Sequence, residues 1–103
     1  MKTYTDKKQG KKLAKILSNK TSDMYYWCGE DIRVGGCKAQ DKDYDIPCWS
    51  LAALLEVYPM CVGRNLGMFC CWVNHKSMCS SHFDNPVDAC VDMILTLKER
   101  KLI

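Results

Sequence analysis

The sequence predicts an α+β domain, three helices packed on a small antiparallel sheet or β-hairpin. Three observations carry it. Two segments have helix caps that can be read residue by residue, and a third has helical periodicity. Residues 68–73 alternate with a period of two and run through a turn into a second extended segment. The element order, α-β-loop-α-β-β-α, groups strands with strands rather than alternating them with helices. With 103 residues the chain is read as a single domain, long enough to bury about 60–65% of its unfolded surface.

Asp6 to Ser18 reads as an amphipathic helix, with Leu13, Ile16 and Leu17 forming one stripe among Lys7, Lys8, Lys11, Lys12 and Lys15. Gly10 counts against it by about 1 kcal/mol relative to alanine. Met24-Tyr25-Tyr26-Trp27-Cys28 is aromatic and fits a strand. Residues 29–45 carry Glu30, Asp31, Asp41, Asp43, Asp45 and the pair Gly35-Gly36, and read as a long acidic surface loop. Ser50 is placed to cap a mostly apolar helix that begins at Leu51 and stops before Pro59. Residues 63–67 read as a turn, Met68–Val73 as a strand, and Asn74-His75-Lys76-Ser77 as a hairpin turn into residues 78–83. In the final helix, residues 85–101, Asn85 caps, Pro86 takes the first position and Asp88 favours the N-terminal dipole. Its inward stripe is Val87, Cys90, Val91, Ile94 and Leu95.

Charge divides the chain. Residues 1–20 hold seven lysines against Asp6, whereas residues 21–103 hold eight basic and eleven acidic residues. The basic first helix is a candidate nucleic-acid contact through Lys8, Lys11, Lys12 and Lys15, although a solvated lysine face is the plainer reading. It contains no arginine, the residue best suited to phosphate forks. The start Met1-Lys2-Thr3-Tyr4-Thr5-Asp6-Lys7-Lys8 lacks the apolar core of a signal peptide, and no run approaches the roughly 18 apolar residues of a membrane span. A cytoplasmic protein with no membrane contact is expected.

Eight cysteines in so short a chain demand an account. No pair has the two-residue spacing of a zinc knuckle or a redox dithiol. The best metal set is Cys71, His75, Cys79 and His82, but alternation places His82 on the opposite face from Cys79, so no metal or other cofactor is expected. Cys70 and Cys71 point to opposite faces of one strand and do not bridge each other. Most of the cysteines are therefore read as small apolar core residues, which leaves open whether Cys28, beside the acidic loop, and Cys37, within it, are reachable thiols or a pair that bridges under oxidation.

No nucleophile–base pair has a local signature, and neither Gly35-Gly36 nor Gly63 with Gly67 sits in a phosphate-binding context. The alternating Asp41, Asp43 and Asp45 lack the glycine turn of a calcium loop. An enzyme is not expected. The aromatic residues are the remaining lead: Tyr25, Tyr26, Trp27, Trp49, Tyr58 and Trp72 exceed what so small a core hides. Tyr25, Tyr26, Trp27 and Trp72 are therefore candidates for contact with a protein partner or a second copy.

Ile46-Pro47-Cys48-Trp49-Ser50-Leu51-Ala52-Ala53-Leu54-Leu55 with Pro59, and Asp84-Asn85-Pro86-Val87-Asp88-Ala89-Cys90-Val91-Asp92-Met93-Ile94, are two specific helix motifs. With Ser22-Asp23-Met24-Tyr25-Tyr26-Trp27 they resemble a group of small proteins of gut bacteria and their phages or mobile elements. In that group hydrophilic strands join the two motifs, and alanine often stands where this chain has Cys48. The resemblance implies no activity and brings no catalytic or ligand residues. The function expected is that of a non-enzymatic, protein-binding accessory domain. Nucleic-acid contact through the first helix and a small zinc or thiol protein are the other readings.

Overall fold

The structure, a computed structural model, describes residues 1–28, 30–35, 45–73 and 78–103. In chain order these form α1 (Lys7–Ala14), a 3-10 turn (Asn19–Thr21), β1 (Met24–Trp27), β2 (Asp31–Val34), β3 (Ile46–Cys48) and α2 (Leu51–Val57). There follow β4 (Cys61–Asn65), β5 (Met68–Val73), β6 (Met78–Cys79) and α3 (Pro86–Glu99). The α+β class holds, but the strands make two three-stranded antiparallel sheets, β2-β1-β3 and β4-β5-β6, instead of one. Three short strands account for the difference. Asp31–Val34, inside the stretch expected to be loop, pairs with β1, and Ile46–Cys48, expected to lead into a helix, pairs with its other edge. Pro47 is tolerated there because an edge strand leaves one row of backbone donors unused. Cys61–Asn65 pairs with β5 through the two-residue turn Leu66-Gly67. Both turn residues have positive φ, +53° and +82°, as the mirror-image hairpin turn requires.

Cap chemistry sets the helix starts. Asp6 and Gln9 form a reciprocal capping box on α1. Ser50 accepts from Ala53 N–H at the start of α2 and donates to the Asp23 carboxylate. Asn85 accepts from Asp88 N–H at 2.8 Å at the start of α3. α1 lies against β3, and α3 packs on β5 and against α2. The main core gathers Leu13, Trp49, Leu54, Cys71, Val73, Val87, Cys90, Met93, Ile94 and Leu97, while Tyr26, Ile46 and Cys48 form a smaller cluster under the first sheet.

The N-terminal segment is stitched to the start of α2 by a buried hub. Thr5 N–H donates to Trp49 O at 2.9 Å, and Trp49 N–H donates to Thr5 Oγ1 at 3.0 Å. The Thr5 carbonyl accepts from Tyr26 Oη at 2.6 Å and from Cys48 Sγ at 3.4 Å. Every polar group at the hub is therefore matched, which is the condition for burying it at little cost.

A second clasp joins the N-termini of α1 and α3. Lys2 Nζ lies 3.0 Å from Asp6 Oδ2 and 2.9 Å from Asp88 Oδ1, and Gln9 Nε2 donates to Asp88 Oδ1 at 2.7 Å. Burial alone would push Asp88 up, but hydrogen bonds from Lys2, Asn85 and Gln9 outweigh it and hold the carboxyl below its usual range. Burial is likewise outweighed at Asp6, by Gln9 N–H and Lys2, and at Lys2, which its two carboxylate partners raise. The linkage follows from these directions. The carboxylate contribution is present above the unfolded value of about 3.9 and is lost as pH falls through the lower folded values. The Lys2 contribution is present below its ordinary value and is lost as pH rises through the raised one. The clasp's contribution to stability should be flat from about pH 5 to 9 and fall on both flanks. Asp88→Asn should cost about 1–2 kcal/mol at neutral pH and flatten the acid flank, as read by urea unfolding at pH 3 and pH 7.

Candidate functional site

Register assigns each sheet an inner and an outer face. In the first sheet Met24, Tyr26, Ile32, Ile46 and Cys48 share the inner face, and Tyr25, Trp27, Asp31, Arg33 and Pro47 share the outer one. On that outer face Trp27 is 47% exposed, and the Arg33 guanidinium lies 4.8 Å from its ring centroid, within cation–π range. Tyr25 stands directly across from Arg33. The result is an aromatic–guanidinium strip bordered by Asp31, on a sheet whose edge strand β2 pairs with β1 alone among the described residues.

Of the aromatic candidates, the structure brings only Tyr25 and Trp27 together. Tyr26 is a correction: it is buried, its hydroxyl is committed to Thr5 O, and burial first, then Cys48, pushes its pKa up. Trp49 is wholly buried and donates through Nε1 to Thr21 Oγ1 at 3.0 Å. Trp72 lies on the outer face of the second sheet, folded over Gly63. A Cβ at that glycine would meet Trp72 Cη2 at 2.7 Å, so glycine is what lets the indole lie flat. Arg33 was missed because the strand that carries it sits in an acidic stretch. Its one signal was the alternation Asp31-Ile32-Arg33-Val34.

Lys8, Lys11, Lys12 and Lys15 are all exposed and recur at i, i+3, i+4 and i+7, so they form one stripe. Gly10 and Leu13, the buried residues of α1, lie on the opposite side. None of the four lysines makes an ion pair among the described residues.

The described metal candidates, Cys71, Cys79 and His82, do not come together as a ligand set. Among the described residues no three histidine, cysteine or acidic side chains converge, and His82 is exposed. Cys71 instead lies beside Cys90, whose thiol together with burial pushes that of Cys71 up. His75, Cys37 and most of the acidic loop, residues 36–44, lie outside the described residues. Cys48, Cys70, Cys71 and Cys90 are buried, but Cys61 and Cys79, expected in the core, are exposed like Cys28. Both fall on the outer face of the second sheet. Cys61 sits on β4, whose strand nature the sequence reading missed, and Cys79 follows from the register of β6.

No helix among the described residues is long and apolar enough to cross a membrane. No protein-family model, curated protein or solved structure matches the chain.

Proposed function

We propose that the chain is a non-enzymatic, cytoplasmic protein-binding domain that docks a partner protein, or a second copy of itself, through the outer face of the β2-β1-β3 sheet. The observation that carries this reading is the half-exposed Trp27 with Arg33 stacked on it. Tryptophan and arginine are the residues most enriched where binding energy concentrates. An exposed ring held by a guanidinium loses little side-chain freedom on docking. The role as an accessory factor of a mobile element rests on the resemblance of the two helix motifs alone.

Trp27→Ser tests it. The residue packs in neither core cluster, so stability should change by less than about 1 kcal/mol. The expected result is a shift in native size in extracts of producing cells, from a larger complex to the free 11.8 kDa chain. A wild-type chain that already migrates at 11.8 kDa, unchanged by the substitution, counts against the reading.

The exposed lysine stripe, without an ion pair among the described residues, favours a second reading, contact with nucleic acid. Replacing Lys8, Lys11, Lys12 and Lys15 by glutamine should then abolish binding to a DNA or RNA duplex. Wild-type affinity should fall with a log–log salt slope of about −3 to −4 if all four contact phosphates. Binding that the quadruple variant retains sinks this reading.

A further inference from the structure

β5 carries Cys70 and Cys71 side by side, so their thiols project to opposite faces of the sheet. Each finds a second cysteine on its own side. Cys71 meets Cys90 of α3 inside the core, where both are wholly buried. Cys70 meets Cys79 of β6 on the outer face, where burial and the neighbouring Cys79 side chain push the Cys70 thiol up. There Cys79 is exposed and Cys70 is 7% exposed. The outer-face residues Cys61, Met68, Cys70, Trp72 and Cys79 belong to neither hydrophobic cluster.

Cys61 is diagonal to Cys70 across β4 as Cys79 is across β6, but the side chain that Cys70 meets is Cys79, and Cys61 does not reach Cys79 either. Cys61, Trp72 and Cys79 lie opposite one another in a row across β4, β5 and β6. Two strand spacings therefore separate the two thiols, about 10 Å, beyond the reach of a disulfide. Cys70 is one strand from Cys79 and diagonal to it on the same face.

We propose that Cys70 and Cys79 are a disulfide-forming modification site for small-molecule disulfides such as oxidised glutathione. Cys79, as thiolate, attacks one sulfur of the disulfide. That S–S bond breaks, and one thiol leaves with a proton. The Cys70 thiol then loses its proton and attacks Cys79 Sγ, displacing the second small thiol. The protein gives up two electrons and two protons, the small disulfide takes them up, and two small thiols are released. The inner pair stays reduced because no attacking disulfide reaches a wholly buried sulfur. The oxidised bond staples the two-residue strand β6 to β5.

The test is mass spectrometry of the folded full chain after equilibration in a glutathione redox buffer. The expected product has peptide 65–76 linked to 77–98, the linked pair two hydrogens lighter than the two free peptides together, with fragment ions placing the bond between Cys70 and Cys79. In Cys70→Ser, glutathione should accumulate on Cys79 with no internal bond. In Cys79→Ser, Cys70 should remain a free thiol. Circular dichroism on each serine variant confirms that it is folded. Three results overturn the proposal: a stable glutathione adduct on Cys79 of the wild type, a bond that survives in Cys70→Ser, or free Cys70 and Cys79 in excess oxidised glutathione.

Discussion

Replacing Gly10 by alanine is expected to destabilise the protein, although alanine is the better helix former by about 1 kcal/mol. A Cβ at this position would lie 2.3 Å from the Pro47 carbonyl oxygen and 3.0 Å from Ile46 Cγ2. The first contact is with backbone, and that backbone is held in register by β1. It has no side-chain rotation with which to yield. Relief requires α1 to lift off β3, which would draw Leu13 out of the main core and disturb the Thr5 hub at the helix entry. Overpacking of this kind costs about 1–3 kcal/mol, more than the propensity gain returns. For a chain of this size each kcal/mol lowers the melting temperature by roughly 4–8 °C. A calorimetric melt of Gly10→Ala checks the sign. A raised melting temperature would mean that α1 does not sit on β3.

Trp49→Ala should have the larger effect. Trp49 is the largest wholly buried side chain, and it lies where the N-terminal segment, the 3-10 turn and the start of α2 meet. Its indole fills the main core, its Nε1 donates to Thr21 Oγ1, and its backbone exchanges two hydrogen bonds with Thr5. Deleting the ring leaves a cavity, at a cost of about 3–5 kcal/mol. The total stability of a small domain is about 5–15 kcal/mol, so a large unfolded fraction is expected in dilute buffer. Trp49→Phe separates the two contributions. It keeps most of the volume and loses the indole donor, whose partner hydroxyl sits on an exposed residue, so about 1–2 kcal/mol should be lost. Urea titrations followed by far-ultraviolet circular dichroism rank the three proteins. Equal midpoints for Trp49→Ala and the wild type would contradict the packing described above.

These two residues also mark what the sequence made legible. The helix starts were readable because caps are local: Ser50, and Asn85 with Pro86 and Asp88, satisfy backbone donors within three residues of themselves. Core-facing Cys71 and Val73 were readable from alternation along β5, and Cys90 from the stripe of α3. The strands β2, β3 and β4 were not. Each is only three to five residues long and holds proline, glycine or charge, so its state is decided by a partner strand distant in sequence. Gly10 misled for the same reason. Its propensity is a property of the isolated helix, whereas its role is a contact with a carbonyl 37 positions along the chain. The strip of Tyr25, Trp27 and Arg33 was half visible, since the aromatic run was plain but its sorting into faces depends on pairing. Tyr26 fell to the buried side and Arg33 arrived from β2.

A protein docked on this strip, as claimed above, should be caught by site-specific photo-crosslinking in producing cells. A photoreactive phenylalanine analogue at position 27 should yield a discrete protein adduct, either a dimer of this chain or a complex with one partner. The same group at position 56, on the exposed side of α2, should yield none. No adduct at position 27, or the same adducts at both positions, would contradict the claim.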